Sequence, residues 1–171
     1  MLFYIRQFAY LCDMKQKILF VCLGNICRSP AAEEIMRRKI AEAGLEDRLE
    51  VDSAGTYGGH RGDLPDPRMR VAASRRGYNL THRSRLLREE DFEIFDPIVV
   101  MDDMNYETVN RLAPSRKAGE RVVRMRDWLS KDRFPDRTYI PDPYYEGAEG
   151  FELVLDMLED ATANLLKTLT E

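Results

Sequence analysis

The segment Cys22-Leu23-Gly24-Asn25-Ile26-Cys27-Arg28-Ser29-Pro30 sets a thiol and a guanidinium at the two ends of a short turn. A loop joining the carboxyl end of a buried strand to a helix aims successive backbone N–H groups inward. The helix dipole adds to them, and together they cradle an anion. Arg28 supplies a fork suited to two phosphate oxygens. Cys22 stands at the base of the cradle, and the positive field that binds an anion also favours the thiolate. A thiolate facing a cradled tetrahedral anion is suited to phosphoryl transfer through a covalent phosphocysteine. The spacing of Cys and Arg carries little by itself in so arginine-rich a chain, and a buried cysteine at a strand end is often a small hydrophobe. The context is the informative part: Gly24 and Asn25 tolerate a left-handed backbone, and Ser29-Pro30 reads as a helix start.

The flanking elements have to hold this loop. Ile18-Leu19-Phe20-Val21 is an unbroken apolar run, the mark of a strand covered on both faces, and it ends at Cys22. Ser29 as N-cap and Pro30 as first helical residue predict a helix to Ala43, closed by Gly44. Leu49 to Ser53 reads as a second strand. Asp66-Pro67 opens a second helix by the same cap-then-proline rule, ended by Gly77. Ile98 to Met101 reads as a third strand, followed by a helix from about Asp103 to Leu112, and Arg121 to Met125 as a short fourth strand. Residues 130–147 read as a loop rich in Pro, Asp and Tyr. The last helix, from about Gly147 to Thr170, carries its apolar stripe at Phe151, Val154, Leu155, Leu158, Ala161 and Leu165. Strands alternating with helices predict an α/β fold, a parallel sheet with helices on both faces in three layers.

The chain has 171 residues with 44% hydrophobic and 33% charged, enough for one domain with a substantial core. A net charge of −4 argues against nucleic acid as a partner. No apolar run approaches the roughly 20 residues of a membrane span. The three cysteines, Cys12, Cys22 and Cys27, exclude a disulfide scaffold and point to a reducing, cytoplasmic compartment. No pattern of Cys and His predicts a metal site, and no nucleotide-binding loop of the Gly-x-x-x-x-Gly-Lys type is present. No cofactor is expected. Residues 1–13, before Met14, read as an extension outside the fold, with residues 14–171 as the single domain. Residues 61–88 hold eight arginines and only two acids, Asp63 and Asp66. A solvated face is the plainer reading, and a basic rim for anionic substrates the sharper one.

Taken together, these segments resemble the low-molecular-weight protein tyrosine phosphatases. The resemblance rests on Cys22 to Pro30 and on Asp52-Ser53-Ala54-Gly55-Thr56, Asp66-Pro67-Arg68, Thr81-His82, Met101-Asp102 and Asp142-Pro143-Tyr144-Tyr145, in the family's order. It implies a four-stranded parallel sheet flanked by helices and hydrolysis of phosphotyrosine in protein substrates. It also implies the roles. Cys22 is the nucleophile, Arg28 binds the phosphoryl group, and Leu23, Gly24, Asn25, Ile26 and Cys27 line the loop. Asp142 is the general acid and then the base. Chemistry supports this last role, because a tyrosyl oxygen leaves badly without a proton. An aspartate between two prolines is otherwise more often a turn residue. The resemblance gives Ser29 a hydrogen bond to the Cys22 sulfur, beside or instead of a helix cap. It sets Asn25, Ser53 and His82 in a network that props the loop, and Tyr144 and Tyr145 as aromatic walls. It also implies that Cys27 is a resolving thiol for an oxidised Cys22.

The chain departs from the family in one place. Where an aromatic residue commonly forms the opposite wall of the slot, this chain has Gly59, with Tyr57 and His60 nearby as substitutes. Rival activities on the same fold fit less well. Thiol-relayed arsenate reduction needs cysteines downstream of Cys27, and there are none. Protein arginine phosphatases carry Thr where this chain has the bulkier, apolar Ile26. A phospho-binding module without catalysis would need no Asp142.

Overall fold

Four apolar runs form one parallel sheet in a computed structural model that describes residues 14–171. The proposed extension at residues 1–13 lies outside the described residues. The elements run β1 (Gln16–Cys22), α1 (Arg28–Glu42), β2 (Leu49–Gly55), α2 (Pro67–Arg75), α3 (Asp91–Ile94), β3 (Ile98–Val100), α4 (Asp103–Leu112), α5 (Arg116–Gly119), β4 (Val122–Arg124), a 3₁₀ turn (Met125–Trp128) and α6 (Ala148–Thr170). The strand order is β2-β1-β3-β4, every pair parallel.

Ile18 to Val21 are fully buried because both faces of β1 are covered. Alternation sends Ile18 and Phe20 into one core, with Ile35 and Met36 of α1 and Phe151, Leu155 and Leu158 of α6. Leu19 and Val21 enter the other, with Phe92, Phe95 and Val109. The three-layer α/β architecture read from the alternation of elements is the one observed. The order around β1 has a functional consequence. After β2 the chain returns to the other side of β1, so a crevice opens between the loops at the carboxyl ends of β1 and β3, the usual ligand site of such sheets.

Several local readings need correcting. The first helix starts at Arg28, with Cys27 at the cap position and no side-chain cap. Ser29 is therefore inside the first turn, and its hydroxyl serves the loop instead. Asp66 caps α2 as expected, accepting from the Arg68 N–H. The short helices α3 and α5 and the 3₁₀ turn have no apolar period long enough to announce them. No helix among the described residues is long and apolar enough to cross a membrane.

Candidate active site

The loop after β1 curls because Asn25 takes a left-handed conformation, φ 56°. Gly24 does not, although its residue type had suggested it. A non-glycine residue in that region needs support from its surroundings, and the amide of Asn25 has it on every side. Its Nδ2 donates to Ser29 Oγ at 2.8 Å and to Ser53 Oγ at 3.0 Å. Its Oδ1 accepts from the Arg85 N–H at 3.0 Å and lies 2.9 Å from His82 Nε2. The other ring nitrogen of His82 is 3.0 Å from Glu33 Oε2, which also accepts from Ser53 Oγ at 2.7 Å. The end of β2 locks the loop from the side. Thr56 N donates to Cys22 O and Tyr57 N to Leu23 O, and Gly55 permits the approach, since a Cβ there would stand 2.6 Å from Leu23 O.

Glu33 was not singled out by the sequence, yet it anchors this network at 3% exposure. Burial pushes its carboxyl up. The hydrogen bond and charge of His82, the Ser53 hydroxyl and Arg37 more than offset that, so it sits below its ordinary value. A group held low in the folded state contributes stability that is complete above its unfolded pKa and is lost as pH falls through its folded one. Glu33→Gln should therefore melt lower than the parent at pH 7. The gap should narrow as pH drops below about 4, where the parent also loses the charge. Thermal melts of both proteins across pH 3–7 check this, and a gap independent of pH would remove Glu33 from the acid-sensitive groups. Glu33, Asp52 and His82 place ligand-type atoms within 4.8 Å of one another. Those atoms are already engaged with Ser53, Arg37, Arg85 and one another, as befits a structural network.

In front of the network lies a pocket of about 270 Å³. Cys22 forms its floor at 3% exposure, and its Sγ lies 3.0 Å from Ser29 Oγ. Ser29 already accepts a hydrogen bond from Asn25, so its own proton is available to the sulfur or to Ala54 O at 3.3 Å. Leu23, Gly24, Ile26 and Cys27 line the pocket with it. Arg28, 2% exposed, donates from Nη1 to Asp102 Oδ2 at 2.6 Å and to Ile140 O at 3.0 Å. Its Nη2 faces Asp142 Oδ2 at 3.5 Å. Burial works against the Arg28 charge, but Cys22, Asp102 and Asp142 outweigh it and raise the pKa further, so the fork stays cationic. Burial also pushes the Cys27 thiol far up, with Asp66 and Cys22 adding to the effect, so Cys27 stays protonated.

The structure thus brings Asp142 to the mouth of the Cys22 pocket, its side chain 41% exposed. Asp142 is a turn residue as well, since its Oδ1 accepts from the Tyr144 N–H at 3.1 Å. Asp102 stands in a segment that the resemblance rests on, but the sequence reading gave it no role. It follows β3, caps α4 through the Asn105 N–H at 2.7 Å and orients Arg28 with its other oxygen. An aspartate at a strand end beside β1, just before a helix, was the available signal. Tyr144, Tyr145, Tyr57 and His60 line the rest of the pocket. The Tyr57 ring lies across Gly59, where a Cβ would come within 2.3 Å of it. The space left by the missing aromatic at position 59 is therefore filled from position 57. His60 neighbours two of these rings, 6.2 Å from Tyr57 and 6.5 Å from Tyr144.

The eight arginines of residues 61–88 divide into two groups. Arg68, Arg76 and Arg85 are bound to carboxylates, so much of the charge is structural. Arg61, Arg70, Arg75, Arg83 and Arg88 have no carboxylate partner among the described residues and face solvent.

Residues 17–171 match the family described as low molecular weight phosphotyrosine protein phosphatase. The chain is 49% identical, over 90% of its length and 96% of the relative's, to a Synechocystis protein provisionally named a low molecular weight protein-tyrosine-phosphatase. It is 39% identical, over 92% of its length and 96% of the relative's, to the low molecular weight protein-tyrosine-phosphatase of Streptomyces coelicolor. Its fold superposes on a crystal structure of a protein tyrosine phosphatase from Entamoeba histolytica. That match has a TM-score of 0.86 and 42% identity, covering 91% of this chain and 97% of that one. The chain belongs to the low molecular weight phosphotyrosine protein phosphatase family.

Proposed function

We infer that this phosphatase hydrolyses phosphotyrosine in proteins, and small aryl phosphates, through a phosphocysteine on Cys22. The observation that carries the reading is the convergence of three groups from distant parts of the chain on one pocket: the Cys22 sulfur, the Arg28 fork and the Asp142 carboxyl. In the first step the Cys22 thiolate attacks phosphorus and the bond to the tyrosyl oxygen breaks. Protonated Asp142 gives its proton to that oxygen. In the second step the Asp142 carboxylate takes a proton from water, the water oxygen attacks phosphorus, and the sulfur–phosphorus bond breaks. Phosphate leaves and the thiolate returns. Loop amides and Arg28 hold the equatorial oxygens throughout. Ser29 Oγ is placed to receive the departing thiolate with a hydrogen bond. The substrate ring is bordered by the aromatic residues that line the pocket, Tyr144, Tyr57 and His60. Acid quenching during turnover of a phosphotyrosine peptide should capture a phosphoryl group on the Cys22 peptide. A phosphoarginine peptide of the same sequence should be turned over far more slowly. Turnover with no captured phosphoryl group would overturn the covalent route, and preference for phosphoarginine the substrate.

Cys22 must remain a free thiol to work, which suits a reducing cytoplasm. Both described cysteines are free and buried. We assign Cys27 the role of resolving an oxidised Cys22: once the loop rearranges and Cys27 gives up its proton, its sulfur displaces the hydroxyl of a Cys22 sulfenic acid, forming the disulfide and releasing water. Peroxide should inactivate the parent and a thiol reductant should restore it. Cys27→Ser should keep most of its turnover but regain much less activity after the same exposure. Equal recovery, with no 22–27 disulfide by mass mapping, would leave Cys27 a packing residue only.

A further inference from the structure

A second concavity, of about 380 Å³, opens between α2 and the start of α6. Its floor is apolar, formed by Val71, Ala72 and Phe151, and Val71 is 52% exposed. An apolar side chain laid against Val71 would take apolar surface of both partners out of water, a favourable exchange. The groove is continuous with the active site. Tyr144 lines the catalytic pocket, the Arg68 guanidinium sits 5.2 Å from its ring centroid, and Arg68 is a wall of the groove. The same loop forms a side of both: Asp142, Tyr144 and Tyr145 face the pocket, and Glu146 and Gly147 face the groove.

The charges on the rim do not select a charged occupant. Arg68 is bound to Asp66 and Glu152 to Arg76, which leaves Arg75 and Glu146, of opposite sign. We propose that this groove receives an apolar side chain of the substrate, from a residue one to three positions from the phosphotyrosine, and so selects phosphopeptides with Leu, Ile, Val, Met or Phe there. An extended chain advances about 3.3 Å per residue, so two or three residues span more than the 5.2 Å between the Tyr144 ring on the pocket and the Arg68 guanidinium on the groove. The proposal rests on the phosphotyrosine reading above and names the protein context that the reading leaves open.

Burying one aliphatic or aromatic side chain in an open groove corresponds to roughly a tenfold gain in kcat/KM. The test uses phosphotyrosine peptides with an apolar residue, Ser or Asp at each of the three positions on either side, beside free phosphotyrosine as the bare substrate. The parent should prefer the apolar peptides about tenfold at one or more positions. Val71→Asp and Val71→Lys alter an exposed helix position outside the catalytic pocket. Both should abolish that preference while kcat and KM for free phosphotyrosine stay unchanged. Absence of any apolar preference in the parent would overturn the groove's role, as would a preference that survives both variants. If instead both variants change only the sedimentation coefficient, the groove is a contact between copies of this chain and the proposal is wrong. Failure to hydrolyse free phosphotyrosine at all would be a failure of the catalytic reading, separate from these outcomes.

Discussion

Cys22→Ser should lose aryl phosphate turnover by on the order of 10⁴–10⁶-fold and still bind inorganic phosphate within a few-fold of the parent. The two halves of this expectation come from different parts of the site. Turnover needs a nucleophile that is ionised near neutral pH, and a hydroxyl is not. Phosphate binding needs the loop amides and Arg28, which the substitution leaves in place. The loop conformation rests on Asn25, Ser53 and His82 behind it and on the β2 end beside it, none of which depends on the sulfur. Arg28 is fixed by Asp102 and Ile140 O, again independently of residue 22. Steady-state assays with an aryl phosphate and titration calorimetry with phosphate measure the two quantities on one sample. Substantial residual turnover would exclude Cys22 as nucleophile. Loss of phosphate binding would mean that the sulfur helps hold the loop open.

Asp142→Asn should slow hydrolysis of phosphotyrosine by about 10²–10⁴-fold, and that of aryl phosphates with acidic phenols much less in the first step. The amide keeps the size of the carboxyl, and its oxygen can keep the turn bond to the Tyr144 N–H, so the loop should stay in place. What it lacks is a proton to give. That loss matters in proportion to the basicity of the leaving oxygen, so the plot of rate against phenol pKa should steepen in the variant. In the proposed route Asp142 also prepares the water for the second step, so phosphocysteine should accumulate in the variant where the leaving group is good. Single-turnover rates for a series of substituted phenyl phosphates decide the matter. Equal slowing across the series, with no change in slope, would assign Asp142 to holding Arg28, 3.5 Å away, rather than to proton transfer.

The sequence by itself determined the features whose causes are local. The unbroken apolar run before Cys22 had to be a strand covered on both faces, and β1 is one. Asp66-Pro67 had to open a helix, because an acceptor side chain followed by a fixed φ satisfies the first turn. Asn25 is among the few residue types that accept a left-handed backbone, and it adopts one. The same local reasoning misjudged Ser29, since a serine before a proline looks the same whether its hydroxyl caps the helix or turns back to a sulfur. Only the packing of β2 against the loop decided that. Of the two residues that tolerate a left-handed backbone, the fold uses Asn25 and leaves the freedom of Gly24 unused. Gly59 looked like a gap in the slot wall, and the folded chain lays Tyr57 across it, a contact that depends on how the loop after β2 turns.

The tertiary structure decided the assignments that join distant positions and that the residues do not announce by themselves. Arg28 meets Asp102 across 74 positions, and no periodicity links such a pair. The pairing of His82 with Asn25 across 57 positions entered the sequence reading only through the family resemblance. Glu33 reads along the chain as one more surface carboxylate of an amphipathic helix, and it becomes the buried anchor of the loop only because β2 and the His82 segment close over it. The division follows from the physics. Backbone preference, capping and apolar period act within a few residues and are written in the order of the chain. Which buried polar groups satisfy one another depends on the strand order β2-β1-β3-β4, which brings the loops at the carboxyl ends of β1 and β3 to one crevice.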